Sequence, residues 1–106
     1  MRNQLGLAVA ALTLVAGVGS AQASDLQASL AAVGCVACHK MDAPLVGPSY
    51  KQVADKYRGV EGAHELLVSK VKNGGSGTWG PLPMAPHPHL SVEQIDPLIA
   101  GILAIE

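Results

Sequence analysis

The sequence predicts an all-α fold. Apolar residues recur three or four positions apart in four separate segments. Glycine and proline gather between those segments rather than inside them. No run of β-branched residues and no pair of alternating segments offers a sheet.

The chain opens with Arg2 and an uncharged apolar run, LGLAVAALTLVAGVGS, followed by AQAS. Ala21 and Ala23 give the small-x-small pattern of a secretory cleavage site, so residues 1–23 are expected to be a signal peptide and Ser24 the first mature residue. A retained membrane anchor is the alternative, but the run is short for a span of about 20 residues and no basic cluster follows it. The domain proper is then expected over 24–106. From Asp25 to Val33, the spacing of Leu26, Leu30 and Val33 predicts the first helix, ended by Gly34. Pro44, Gly47 and Pro48 mark a loop. In SYKQVADKYRG, Tyr50, Val53, Ala54 and Tyr57 share one face of a short second helix, with Gly59 as its stop. EGAHELLVSKVKNGG reads as a third helix, with Leu67 and Val71 one turn apart. The stretch GGSGTWGPLPMAPHPH is too rich in glycine and proline for regular structure. In the last helix, Ser91 and Gln94 form a capping-box pattern, and Ile95, Leu98, Ile99, Ile102 and Leu103 supply the apolar face. Pro97 falls inside it and predicts a kink or an irregular first turn.

With 106 residues the chain is one domain at most. Its hydrophobic fraction of 49% is inflated by the leader, because the domain itself is poor in aromatics: no Phe, one Trp and two Tyr. So small a domain is short of core material, which favours a buried cofactor as a substitute. Lys and Arg number 7 against 8 Asp and Glu, a formal net charge of −1. That balance excludes the basic footprint of a nucleic-acid partner.

The chemistry lies in GCVACHK, residues 34–40, which holds the chain's only 2 cysteines. Three readings compete. A zinc site needs four ligands. Cys35, Cys38 and His39 with one of His64, His87 or His89 could supply them, although adjacent Cys38 and His39 are unusual spacing. A dithiol redox pair usually sits in a βαβ unit, of which there is no sign. A disulfide would close a very short loop and leave His39 unexplained. C-x-x-C-H is also the attachment signature of a c-type haem, with both thiols adding to vinyl groups and the next imidazole beneath the iron. For the opposite axial position the chain offers Met41, Met84, His64, His87, His89 and the lysines. Met41 follows His39 too closely to swing round a haem. Met84 sits far along the chain in the rigid WGPLPMAP segment and can cover the other face.

GCVACHK, VGPSYKQVADKY and KNGGSGTWGPLPMAP, in that order, resemble class I cytochromes c, most of all the small bacterial c-551 and c-552 type. The likeness covers nearly all of 24–106. It implies the cytochrome c fold, about four short helices around one covalently attached haem c. It further implies thioether bonds at Cys35 and Cys38, His39 as proximal and Met84 as distal iron ligand. The Pro48 carbonyl would accept from the His39 imidazole, and the Trp79 indole would bond a propionate. Where the terminal helices cross, relatives carry aromatic residues and this chain has Leu30 and Gly101. After the distal ligand it carries His87 where relatives often have Asn. His87 reads either as a solvated loop histidine or as a charge close enough to the iron to tune it.

Two protein ligands would leave no open position on the iron, which argues for electron transfer and against an enzyme. The expected role is a monomeric periplasmic electron carrier, with no membrane anchor after cleavage. Uncharged Val36, Ala37, Pro83, Ala85 and Pro86 would form its docking edge. The resemblance suggests a terminal oxidase, a nitrite reductase or a quinol-oxidising complex as redox partner. The alternatives are a peroxidase or gas-binding haem protein with a labile sixth ligand, or an electron-transfer subunit of a larger dehydrogenase.

Overall fold

The computed structural model describes residues 18–106, with side chains from Ser24 onward. Most of the expected signal peptide therefore lies outside the described residues. Helix α1 spans Val18–Ala32. It begins seven residues before the expected Asp25 and runs through the expected cleavage point, where Ala21, Gln22 and Ala23 are good helix formers. Gly34, at φ 84°, ends this turn of chain in the left-handed conformation that glycine tolerates. A single 3₁₀ turn over Cys35–Ala37 follows, which the sequence reading had not separated from its surroundings.

Helix α2 is Tyr50–Tyr57. Its start is fixed by a reciprocal box: Gln52 N–H donates to Ser49 Oγ at 3.0 Å and Ser49 N–H donates to Gln52 Oε1 at 2.8 Å. Ser49 is fully buried, so the box satisfies donors that water cannot reach. Tyr50, Ala54 and Tyr57 face inward, as their spacing predicts. Helix α3 is Ala63–Asn73, bounded by Gly62 at φ 77° and Gly74 at φ 69°. Helix α4 is Val92–Leu103, with the predicted Ser91–Gln94 box in place. Pro97 lies in its second turn and withdraws the donor that would meet the Glu93 carbonyl, yet the helix continues on both sides. The first turn is capped and helical, so of the two expected forms of disturbance the irregular first turn is not seen.

Helix α4 is the hub, packing against α1, α2 and α3. The core joins Leu30, Tyr50, Tyr57, Leu67, Val68, Leu90 and the inward face of α4, from Ile95 to Ile102. Leu30 and Ile95 are essentially sealed from solvent. The α1–α4 crossing differs in one respect from the sequence reading. Leu30 enters the core, while the residue lying on Gly101 is Leu26, whose Cδ1 would be 2.7 Å from a Cβ added there. Gly101 thus lets the helices approach where a side chain would hold them apart. His64 Nε2 and Asp96 Oδ1, 3.0 Å apart, tie the start of α3 to α4. Among the described residues there is no strand, only an isolated antiparallel bridge between Gly75 and Met84.

Because Leu30 is the one described side chain of α1 fully buried in the core, Leu30→Ala should cost about 2–5 kcal/mol. A guanidinium titration should show the midpoint fall without loss of cooperativity. An unchanged midpoint would mean that α1 is not part of the cooperative core.

Candidate functional site

The site grows from the turn after α1. His39 N–H and Cys38 N–H both donate to the Cys35 carbonyl, at 3.1 and 3.2 Å, so the backbone of the motif coils into a single tight turn. The following strap is sewn to the start of α2: Gly47 N–H donates to the Cys38 carbonyl at 2.8 Å, Tyr50 N–H to Lys40 at 2.9 Å and Lys51 N–H to Met41 at 3.1 Å. Met41 packs against the core from this strap.

His39 Nδ1 donates to the Pro48 carbonyl at 2.7 Å. A carbonyl can only accept, so Nδ1 carries the proton and Nε2 keeps its lone pair free. Two features the sequence reading passed over fix the ring. A Cβ on Gly47 would stand 2.9 Å from His39 Nδ1, so only glycine allows the strap so close. Tyr50 stacks obliquely against the imidazole, with ring centroids 5.6 Å apart. The dipeptide Gly47-Pro48 was visible as a turn signal, but a close approach to a ring eight positions earlier has no local signature.

Met84 comes from the opposite direction in sequence. Its N–H donates to the Gly75 carbonyl at 2.7 Å, and its carbonyl accepts from Gly75 N–H at 3.1 Å. Gly74, at φ 69°, faces this bridge so closely that an added Cβ would strike the Met84 carbonyl and lie 2.9 Å from Pro86 N. His87 N–H donates to the Val71 carbonyl at 2.9 Å, pinning the far end of the proline segment to α3.

These segments enclose a cavity of about 390 Å³. Cys35, Cys38, His39, Pro48, Trp79 and Met84 all line it, so the structure brings the six residues expected at a haem to one cavity, while the other candidate ligands His64, His89 and Met41 do not line it. His87 also lines it, half-buried rather than solvated. Trp79 is 45% exposed at its rim and is not a core tryptophan. Two buried polar atoms, Tyr50 Oη and His87 Nδ1, have no hydrogen-bond partner among the described residues. Buried polar groups rarely stay orphaned, and both belong to residues that line the cavity.

Electrostatics separates the three readings of the motif. Burial raises the Cys35 thiol above its ordinary value; a backbone hydrogen bond offsets this in part, and Cys38 raises it further. A nucleophilic dithiol needs the reverse, a lowered thiol. The zinc reading lacks its geometry, since the described residues gather no group of three or more His, Cys, Asp or Glu side chains able to hold a metal. An apolar cavity carrying two free thiols, an imidazole with an open Nε2 and a thioether fits a haem that is held covalently and through its iron.

Fold and cavity together define a class, the small all-α proteins that wrap short helices round one haem. Residues 25–105 match the cytochrome c family model, and the chain belongs to the cytochrome c family. It is 47% identical over 72 residues to cytochrome c-551 of Allochromatium vinosum, covering 68% of this chain and 77% of that one. It is 35% identical over 102 residues to cytochrome c-552 of Nitrosomonas europaea, covering 96% and 95%. The crystal structure of Nitrosomonas europaea cytochrome c552 superposes with a TM-score of 0.69 at 36% identity, over 76% of this chain and 95% of that chain. The class 1 cytochrome MtoD of Sideroxydans lithotrophicus gives 0.64 at 30%, over 77% and 94%. The protein is thus a class I cytochrome of the c-551/c-552 type, an electron-transport protein with one covalently attached haem c.

Two tests follow from the geometry. Gly47→Ala should displace the His39 ring, because the new methyl group and the imidazole cannot share the space. In the haem-loaded protein this should shift or broaden the imidazole proton resonances; unchanged resonances would show that the strap yields instead. The second concerns Tyr50, whose hydroxyl burial pushes up to about 12, with Cys35 and Cys38 adding to the shift only while their thiols are free, from an ordinary value near 10. A raised acid keeps its proton longer in the folded state. Its contribution to stability is therefore complete below about pH 10 and is lost between about 10 and 12. Tyr50→Phe should flatten the alkaline fall in unfolding midpoint over that window, and an identical fall in both proteins would contradict the assignment.

Proposed function

We propose that this cytochrome is a periplasmic single-electron carrier, with residues 1–23 removed as a secretory leader. Cys35 and Cys38 bind the haem through thioethers, His39 Nε2 is the proximal iron ligand and Met84 the distal one. The Pro48 carbonyl orients the proximal imidazole, and the Trp79 indole bonds a propionate. The observation that carries the reading is the His39 Nδ1–Pro48 bond of 2.7 Å, which presents an unprotonated Nε2 for coordination. When bound, the haem supplies an iron that exchanges one electron between ferrous and ferric states.

The chain's own residues govern that exchange. With His39 and Met84 both committed, no position is left for substrate, which is why a carrier is favoured over an enzyme with a labile sixth ligand. A thioether favours ferrous iron, and the apolar lining disfavours the extra charge of ferric iron; both raise the potential. Val36, Val46 and Leu82, the last 66% exposed, are uncharged and stand in the open beside Cys35, Gly47 and Pro83. Such a rim suits brief docking with rapid release. A terminal oxidase, a nitrite reductase and a quinol-oxidising complex are the proposed partner classes, met as a monomer. Service as a fixed subunit of a larger dehydrogenase is the alternative.

Protein recovered from its native compartment should have the mass of the chain from Ser24 plus one haem that acidified organic solvent does not extract. An extractable haem would end the thioether assignment. Met84→Ala should lower the potential and open the ferrous iron to carbon monoxide, whereas Met41→Leu should do neither. If the effects fell on Met41 instead, the ligand assignment would be wrong.

A further inference from the structure

Trp79 is held by an unusual neighbour. Lys56, in the last turn of α2, places its Nζ 5.5 Å from the centroid of the Trp79 ring and 5.8 Å from that of Tyr57. Both distances lie within cation–π range. The adjacent carboxylate does not compete for it: Asp55 is taken by Lys51 at 3.6 Å and by Arg58 at 3.1 Å. No ion pair among the described residues includes Lys56. The segment that carries Trp79 has few other holds. Gly75, Gly77 and Gly80 all adopt positive φ, and the turn around Thr78 and Trp79 is closed by one backbone bond, Gly77 N–H to the Gly80 carbonyl at 2.9 Å. No described residue accepts a hydrogen bond from the Trp79 indole.

We propose that Lys56 is a positioning residue for Trp79: its ammonium group docks on the indole, ties the glycine-rich rim of the cavity to helix α2, and fixes the ring where its N–H meets the anionic edge of the cofactor. The inference rests on the reading that Trp79 bonds a haem carboxylate. Nothing else in the described side chains couples that loop to a helix through Trp79. A glycine-rich segment gains little order from its own backbone, so an external hold has more to supply here than in a rigid loop. The charge matters as well. A cation at this rim offsets the carboxylate that the indole binds, and it disfavours the ferric state, which carries one more positive charge. Removing it should loosen the rim and lower the potential together. A contact of structural value alone would change the first without the second.

The test uses the haem-loaded protein in its reduced form, comparing wild type with Lys56→Gln and Lys56→Arg. The readouts are hydrogen exchange of the Trp79 indole N–H by NMR and the reduction potential by voltammetry. Lys56→Gln should speed indole exchange about two- to fivefold, the factor an exposed cation–π contact supplies, and shift the potential downward. Lys56→Arg, which keeps charge and stacking, should restore both. A protected indole in wild type with unchanged exchange and potential in Lys56→Gln would overturn the role of Lys56 and leave the Trp79 assignment standing. An indole in wild type that exchanges as fast as free tryptophan would overturn the Trp79 assignment, and the positioning role with it.

Discussion

The hydrogen bond from His39 Nδ1 to the Pro48 carbonyl is the constraint on which the remaining geometry depends. It decides the tautomer, and the tautomer decides which nitrogen can meet a metal. Its demands spread outward through the chain. The strap must pass so close that residue 47 has no side chain. The strap must then stay in register, which three backbone bonds to Cys38, Lys40 and Met41 ensure. Pro48 must be followed by a helix that starts abruptly, and the buried Ser49–Gln52 box supplies that start. Tyr50, the first residue of that helix, closes against the imidazole. A sequence of a few residues thus serves capping, packing and orientation at once.

The distal side is built on a different principle. There the backbone, not a side chain, does the holding. Met84 is clamped by two reciprocal bonds to Gly75, and Gly74 makes room for that clamp by taking a left-handed turn without a Cβ. Prolines 81, 83, 86 and 88 restrict the segment before any contact forms. The pre-paid entropy matters in a chain whose aromatic content is 3%, because little protein core is available to order a long loop. The cavity between these two supports is where, on the proposed reading, a flat apolar cofactor would complete the core.

Much of this was legible in the sequence, and the limits have physical causes. The four helices could be read because each carries its own signal: an apolar period, a cap or a glycine stop. The Ser91–Gln94 box was seen and is present, while the equivalent Ser49–Gln52 box went unread beside the proline that precedes it. The start of α1 at Val18 was missed because the alanines that mark a cleavage signal are also good helix formers. Local patterns do not encode distance between segments. Gly47 against His39, Gly74 against Met84 and Leu26 against Gly101 are all close approaches between segments brought together by the fold, and the last differs from the Leu30 contact expected there. Of the two readings of His87, a freely solvated loop residue is not what the structure shows: the ring is half-buried, and its backbone N–H bonds the Val71 carbonyl of α3. The Lys56–Trp79 contact joins an exposed lysine to a distant ring, a pairing that no periodicity reveals.

The central claim is that His39 and Met84 approach one iron from the two supports described above. X-ray absorption at the iron edge of the haem-loaded protein measures this most directly, since it counts nitrogen and sulfur neighbours of the metal without reference to any relative. The account predicts a first shell of nitrogen atoms with one sulfur, and loss of that sulfur in Met84→Ala. A shell without sulfur in the wild-type protein, or a sulfur that persists when Met84 is replaced, would contradict it.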